Sequence, residues 1–279
     1  MAFSVKIYRI AEGSFHIHYP VLSMLITGLN KHIPTEIIAH RGASYIAPEN
    51  TLASVRQAWK LNADTVEIDV NLTQDKRIVA IHDLTTKRTT SANFVVNKTS
   101  SEELRKLDAG ILKSKKFAGQ KIPFLEEVIS TTPHDRRLLI EIKCGKEIIP
   151  GLQKIIKENG KLYQIALTGF DLKTVSAAKK LMPEISTYWL CNTVRNKLTR
   201  KPLPYDRDLI TIMKENNLDG LSLHYDGITE EFAETVLYSG LKLYAWTIND
   251  LEDAVRLLKY RVHGIITDRP GWILNNLNK

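Results

Sequence analysis

From Thr35 onward, apolar runs of four to eight residues alternate with stretches whose apolar positions recur every three or four residues. The first kind reads as buried parallel strands and the second as amphipathic helices. Strands are expected at Glu36–Gly42, Thr65–Asn71, Ile78–Asp83, Arg137–Lys143, Tyr163–Phe170, Ile185–Leu190, Leu218–His224, Leu241–Ile248 and His263–Asp268. Between them, Thr51–Asn62 carries Leu52, Val55 and Trp59 on one face, behind the helix-start signal Pro48-Glu49-Asn50. Asp171 opens a helix bearing Leu172, Val175 and Met182. Asn249 with Glu252, and Ser100 with Glu103, have the spacing of capping boxes. Gly160 and Gly240 stand where left-handed helix caps are wanted.

Nine strands are one too many for a (β/α)8 TIM barrel, which has eight. The six residues between Asn71 and Ile78 resolve the excess. A parallel crossover needs about a dozen residues, so Ile78–Asp83 must return as a β-hairpin on the second strand. If Thr73 pairs with Ile78, His82 lies opposite Asp69. The segment from about 84 to 133 then becomes a small insertion with short helices. The expected organisation is an N-terminal extension over residues 1–34 and one α/β barrel domain over 35–279.

Two strands carry charge where burial is expected. Thr65–Asn71 holds Glu67 and Asp69, and Arg137–Lys143 holds Glu141 and Lys143. Residues i and i+2 of a strand point to the same face. Ionised carboxylates inside an apolar barrel are costly unless a cation compensates them, so this pattern asks for a metal ion, a bound anion, or both. The structural alternative is a set of internal ion pairs to Lys143. An all-oxygen donor set favours Mg²⁺ or Ca²⁺ over zinc. His40 and Arg41 end the first strand in IIAHRGAS, on the face where barrel active sites form, and the hairpin brings His82 to the same place. Histidines titrate near neutrality and suit proton transfer, while arginine and lysine suit a phosphate.

Charge and cysteine usage narrow the setting. The net charge of +8 suggests an anionic partner: a phosphorylated substrate, a membrane surface or nucleic acid. No zinc-finger spacing or aromatic-basic repeat occurs, so nucleic acid is not an expected partner. Lys113, Lys115 and Lys116 form one basic cluster and Arg195, Lys197, Arg200 and Lys201 another, leaving peripheral membrane contact open. Cys144 and Cys191 are the only cysteines, Cys144 is expected to pack against a helix, and no disulfide framework is implied. Near the N-terminus, Lys6, Arg9 and the apolar run Val21–Leu29 have the outline of a secretion signal. Glu12, His16, His18 and Pro20 interrupt it, no cleavage site follows, and the run is too short to span a bilayer. Cytoplasmic localisation is therefore expected in preference to secreted or periplasmic.

The motifs HRGAS, PENT, EIDV, IHD, RTT, IPFLEEV, IEIK, AWTIND and ITDRP, in that order, resemble the glycerophosphodiester phosphodiesterases, a family of phosphatidylinositol-phospholipase-C-like phosphodiesterase barrels. The resemblance runs from about Ile37 to the C-terminus. It implies metal-dependent hydrolysis of small glycerophosphodiesters to sn-glycerol 3-phosphate and an alcohol, as in glycerophospholipid catabolism. Lysophospholipase D or a phospholipase-C-like lipid phosphodiesterase is the alternative. By similarity, Glu67, Asp69 and Glu141 hold the divalent metal, His40 and His82 form the acid/base pair, and Arg41 and Lys143 contact the phosphate. Phe170 and Trp246 match positions lining the glycerol end of the pocket; His224 carries no role from the resemblance, and its place at a strand end on the active face leaves it only a pocket wall to form. One departure is Gly169, where the family often has serine, and it bears on substrate contacts. The oligomeric state is not legible in the sequence.

Overall fold

The computed structural model describes residues 35–277; the expected extension over residues 1–34 lies outside them. Eight parallel strands close into a barrel: β1 (Glu36–Ala39), β2 (Thr65–Leu72), β4 (Arg137–Ile142), β5 (Ile165–Gly169), β6 (Ser186–Cys191), β7 (Gly220–His224), β8 (Lys242–Trp246) and β9 (Gly264–Thr267). β1 pairs with both β9 and β2, which leaves the parallel sheet no edge. The short β3 (Ile78–Ala80) runs antiparallel to the carboxyl half of β2, the half that the four-residue β1 leaves uncovered.

Helices α1 (Leu52–Lys60), α4 (Ile149–Glu158), α5 (Leu172–Leu181), α6 (Asp208–Glu215), α7 (Glu230–Tyr238), α8 (Leu251–Lys259) and α9 (Pro270–Leu277) surround the sheet. The segment between β3 and β4 carries only short helices, α2 (Ser101–Lys106) and α3 (Leu125–Ser130), with 3₁₀ turns. Local chemistry sets their ends. Thr51 caps α1 by accepting the Ser54 amide, Ser100 accepts that of Glu103, and Asp171 accepts those of Lys173 and Thr174. Gly160 and Gly240 hold positive φ after α4 and α7, where a side chain would strain the backbone. Asp250, rather than Asn249, caps α8 by accepting the Glu252 and Asp253 amides. Asn249 instead binds the loop after β9, taking the Asp268 amide and the Thr267 hydroxyl.

The hairpin forms, but its register differs by one from the sequence count: Leu72, not Thr73, stands opposite Ile78. The turn closes at Thr73, whose amide donates to the Arg77 carbonyl, and Lys76 takes a left-handed φ of 62°. This is a three-residue loop with its last residue left-handed, one residue shorter than the turn expected. Ile81 therefore pairs with Asp69. The chain has left the strand after Ala80, so His82 is free of the strand alternation and still reaches the site.

Outward-facing side chains of the strands pack against the helices in two continuous clusters, centred on Val66, Ile68 and Ile140 and on Leu221, Leu243 and Ile265. Cys144 packs at the margin of the first cluster. The barrel interior holds a separate layer of Ile38, Leu139, Ala166, Tyr188, Tyr244 and Ile266. That layer is the floor on which the site stands.

Candidate active site

Strand parity decides which side chains meet. Two residues beyond the interior layer, on the same face of each strand, come His40, Glu141, Thr168, Leu190, Trp246 and Asp268; Glu67 and Asp69 enter from β2. His40, Glu67, Glu141, Thr168, Leu190 and Trp246 line a cavity of about 220 Å³ together with Arg41, His82, Lys143, Phe170 and Asn192. By the same parity Gly169 points outward, where an added Cβ would meet Val175 and the Ile142 carbonyl. The departure from the family pattern at this position therefore does not touch the pocket.

Glu67, Asp69 and Glu141 are buried, with one carboxylate oxygen of each within 4.8 Å of the others. Asp69 Oδ2 accepts Asn50 Nδ2 at 2.8 Å and lies 3.1 Å from Arg41 Nε. Glu67 Oε2 accepts the Arg41 amide at 2.9 Å. Arg41 and Gly42 both have positive φ, and Ser54 of α1 lies 2.5 Å from where a Gly42 Cβ would stand. Only glycine lets this turn settle onto α1 and aim the Arg41 amide at Glu67. Glu67 Oε1 and Asp69 Oδ1 are buried without a hydrogen-bond partner.

Burial first, and the neighbouring carboxylates second, push Glu67 well above the usual carboxylate range and Glu141 to about 7. At Asp69 burial is outweighed by the charges of Arg41 and Lys143 and by the Asn50 hydrogen bond, which hold its carboxyl low. Three carboxylates thus share too little positive charge to ionise together. Two orphaned buried oxygens in an all-carboxylate set fit a hard divalent cation.

The histidines are built alike. His40 Nδ1 lies 2.7 Å from Asp268 Oδ1, which also accepts the Ser44 hydroxyl; His82 Nδ1 lies 2.6 Å from Asp83 Oδ1. A carboxylate on Nδ1 keeps the proton there and leaves Nε2 for the cavity. Lys143 Nζ stands 3.1 Å from His82 Nε2 and 2.7 Å from Glu141 Oε1. Ammonium can only donate, so His82 is neutral in this arrangement. Burial likewise lowers its pKa.

A carboxylate network supports these groups. Arg88 donates through Nε to Asp83 at 2.7 Å and through both terminal nitrogens to Glu49 at 2.5 and 2.9 Å. Glu49 also accepts Arg41 at 3.0 Å. One guanidinium thereby ties the carboxylate behind His82 to the one behind Arg41. Phe170 and Trp246 meet edge to face at 5.8 Å, and Lys143 Nζ lies 5.5 Å from the Phe170 ring centre. His224 does not line the cavity; its ring packs on Trp246 at 5.1 Å.

Eight of the nine sequence-derived site residues line this one cavity, and the ninth, Asp69, is buried behind it beside Glu67 and Glu141. Sequence reading overlooked Asp268, Asp83, Glu49, Asn50 and Arg88, although each sits in a motif already singled out: ITDRP, IHD, PENT and RTT. An acidic residue directly after a candidate catalytic histidine, as in His82-Asp83, was the available signal.

Residues 40–272 match the sequence profile of the Glycerophosphoryl diester phosphodiesterase family. The chain is 37% identical over 254 residues to a glycerophosphodiester phosphodiesterase of Caldanaerobacter subterraneus subsp. tengcongensis, covering 88% of this chain and 98% of that one. Its fold superposes with a TM-score of 0.80 on a phosphodiesterase of Oleispira antarctica solved with its product sn-glycerol-3-phosphate, at 28% identity over 88% of this chain and 98% of that one. A glycerophosphodiester phosphodiesterase of Agrobacterium tumefaciens shares the fold, with a TM-score of 0.73 at 21% identity, over 87% of this chain and all of that one. Fold and matches together define a barrel hydrolase of phosphoric diesters. The chain belongs to the glycerophosphodiester phosphodiesterase family.

Proposed function

We propose that the protein hydrolyses water-soluble glycerophosphodiesters to sn-glycerol 3-phosphate and an alcohol, using His40 and His82 for proton transfer and a divalent cation, Mg²⁺ or Ca²⁺, held by Glu67, Asp69 and Glu141. The observation carrying this reading is the convergence of two carboxylate-anchored imidazoles and three buried carboxylates on one cavity. When bound, the cation supplies Lewis-acid neutralisation of phosphate charge.

The chain's own groups divide the remaining work. Arg41 and Lys143, both lining the cavity, offset the negative charge of the diester, which otherwise repels a nucleophile. Each histidine presents Nε2: one takes the proton of the attacking hydroxyl, the other gives a proton to the departing alcohol. Asp268 and Asp83 hold the two rings in the tautomer this requires and stabilise each imidazolium as it forms. A nucleophile supplied by the substrate's own glycerol hydroxyl gains from proximity; its attack expels the alcohol and leaves a cyclic phosphate, which water then opens to sn-glycerol 3-phosphate with the two histidines exchanging roles. Phe170 and Trp246 offer an apolar wall for the glycerol carbons. The cavity, about 220 Å³, suits a glycerophosphate rather than acyl chains, which favours small diesters over lipids. That product is the one bound in the Oleispira antarctica phosphodiesterase.

The test is release of glycerol 3-phosphate from glycerophosphocholine with Mg²⁺, with Ca²⁺ and with EDTA, beside His40→Ala and His82→Ala. Cation-dependent release that both substitutions abolish supports the reading. Activity that persists in EDTA, or in either variant, refutes it. Comparing a diester with an acidic phenolic leaving group separates the two histidines. The variant lacking the proton donor recovers most on that substrate, because a good leaving group needs no proton.

A further inference from the structure

Between β6 and α6 the chain forms a hairpin that the catalytic geometry does not use. Its backbone is closed by Leu203 N to the Val194 carbonyl at 2.8 Å and Asn196 N to the Lys201 carbonyl at 2.9 Å. The Asn196 side chain accepts the amides of Leu198 and Thr199 at 3.0 and 2.9 Å, fixing the tip. This ordered turn holds Leu198 95% exposed and Val194 68% exposed. Lys197, Arg200 and Lys201 surround Leu198 and enter no ion pair among the described residues, whereas Arg195 is held by Asp226. The hairpin follows a barrel strand at its carboxyl end, so it stands on the face that opens the cavity. Its root is anchored there: Tyr205 donates to the His224 carbonyl at 3.0 Å, and Asn192 lines the cavity itself.

We propose that this hairpin docks the protein on an anionic lipid surface, with Leu198 and Val194 entering the headgroup boundary and Lys197, Arg200 and Lys201 contacting acidic headgroups. A leucine fixed in water by a rigid turn loses hydrophobic free energy that an apolar boundary would restore. Unpaired cations around an apolar tip are the complement of an acidic bilayer surface, and the chain's net charge of +8 has the same sense. Docking this way would place the carboxyl-end face of the barrel, which carries the cavity, beside the membrane surface. The inference rests on the hairpin and not on the catalytic reading, and hydrolysis of a soluble diester serves only as a control for folding.

The test is co-sedimentation of the full chain with phosphatidylcholine vesicles, with and without phosphatidylglycerol. It is run for the wild type, Leu198→Asp, Leu198→Trp and the pair Lys197→Glu with Lys201→Glu. We expect binding only to vesicles containing phosphatidylglycerol, weakening as salt rises. Leu198→Asp and the double charge reversal should each lower partitioning by about tenfold or more, and Leu198→Trp should raise it. All variants should hydrolyse soluble diester, or unfold in denaturant, like the wild type. Absence of wild-type binding overturns the proposal. So does binding that Leu198→Asp leaves unchanged, which would place the contact elsewhere on the chain or reduce it to charge adsorption. Binding to nucleic acid without binding to vesicles overturns it as well.

Discussion

Replacing Glu67 by glutamine should stabilise the metal-free protein and remove about half of its response to divalent cations. The side chain keeps an oxygen to accept the Arg41 amide, and the new amide nitrogen can donate toward the orphaned oxygen of Asp69. With oxygens within 4.8 Å, each carboxylate pair repels by about 3.5 kcal/mol at an effective dielectric near 20. Attraction to Arg41 and Lys143 cancels most of this, and Glu67, whose pKa burial and its neighbours raise, escapes part of the remainder by keeping its proton; about 1 kcal/mol is left to be recovered above pH 8, where Glu141, pushed up to about 7, is ionised. In the wild type a cation at about 100 times its dissociation constant adds roughly 2.7 kcal/mol; losing one charged ligand and at least tenfold in affinity removes about half of that. Urea unfolding at pH 8.5 in EDTA, Mg²⁺ and Ca²⁺ reads both effects. Should Glu67→Gln be less stable than wild type in EDTA, or gain the same increment from either cation, the three carboxylates are not a cation site.

Three further substitutions probe what surrounds the site. Asp268→Asn frees His40 Nδ1 from its carboxylate, so kcat should fall by about 10²-fold with little change in KM; a change in KM alone would mean that Asp268 does not act through His40. Arg88→Ala unties Asp83 from Glu49, and kcat should fall roughly 10–100-fold; Arg88→Lys should not restore it, since an ammonium cannot fork to two carboxylates, and full rescue by lysine would sink the argument. His263 is held neutral: burial first, and Lys242 second, lower its pKa to about 4, and its Nδ1 accepts the Leu243 amide. The unfolded chain therefore binds a proton between about pH 6.5 and 4 that the native ring refuses, so this stability is complete above 6.5 and is lost as pH falls through that window. The full gap corresponds to about 3 kcal/mol, which partial solvent access reduces to about 1–2. His263→Gln should flatten the acid limb of urea midpoints by that amount, and an unchanged slope would refute the assignment.

What the sequence made legible follows from how rigid each rule is. Strand alternation is strict, so Glu67 with Asp69 and Glu141 with Lys143 could be placed on one interior from two tetrapeptides. The shortness of the link after β2 forced a hairpin whatever its detail. The register failed because turn length is a local matter. Nothing in Gln74-Asp75-Lys76-Arg77 announced that Lys76 would turn left-handed and shorten the loop. His82 reached the site despite that slip because β3 ends early, and strand ends are set by competing tertiary contacts such as the Ala80 amide bonding to the Pro123 carbonyl. The supporting carboxylates were the least legible part. Asp268 and His40 are 228 residues apart in sequence and meet only because the barrel closes β9 onto β1. Glu49 and Asn50, read as helix-start residues, lie in a loop whose left-handed Asn50 turns its side chain away from α1 and onto Asp69. Sequence periodicity reports which face a side chain takes on its own element. The partners that set protonation at this site lie on other elements, and closure of the barrel is what selects them.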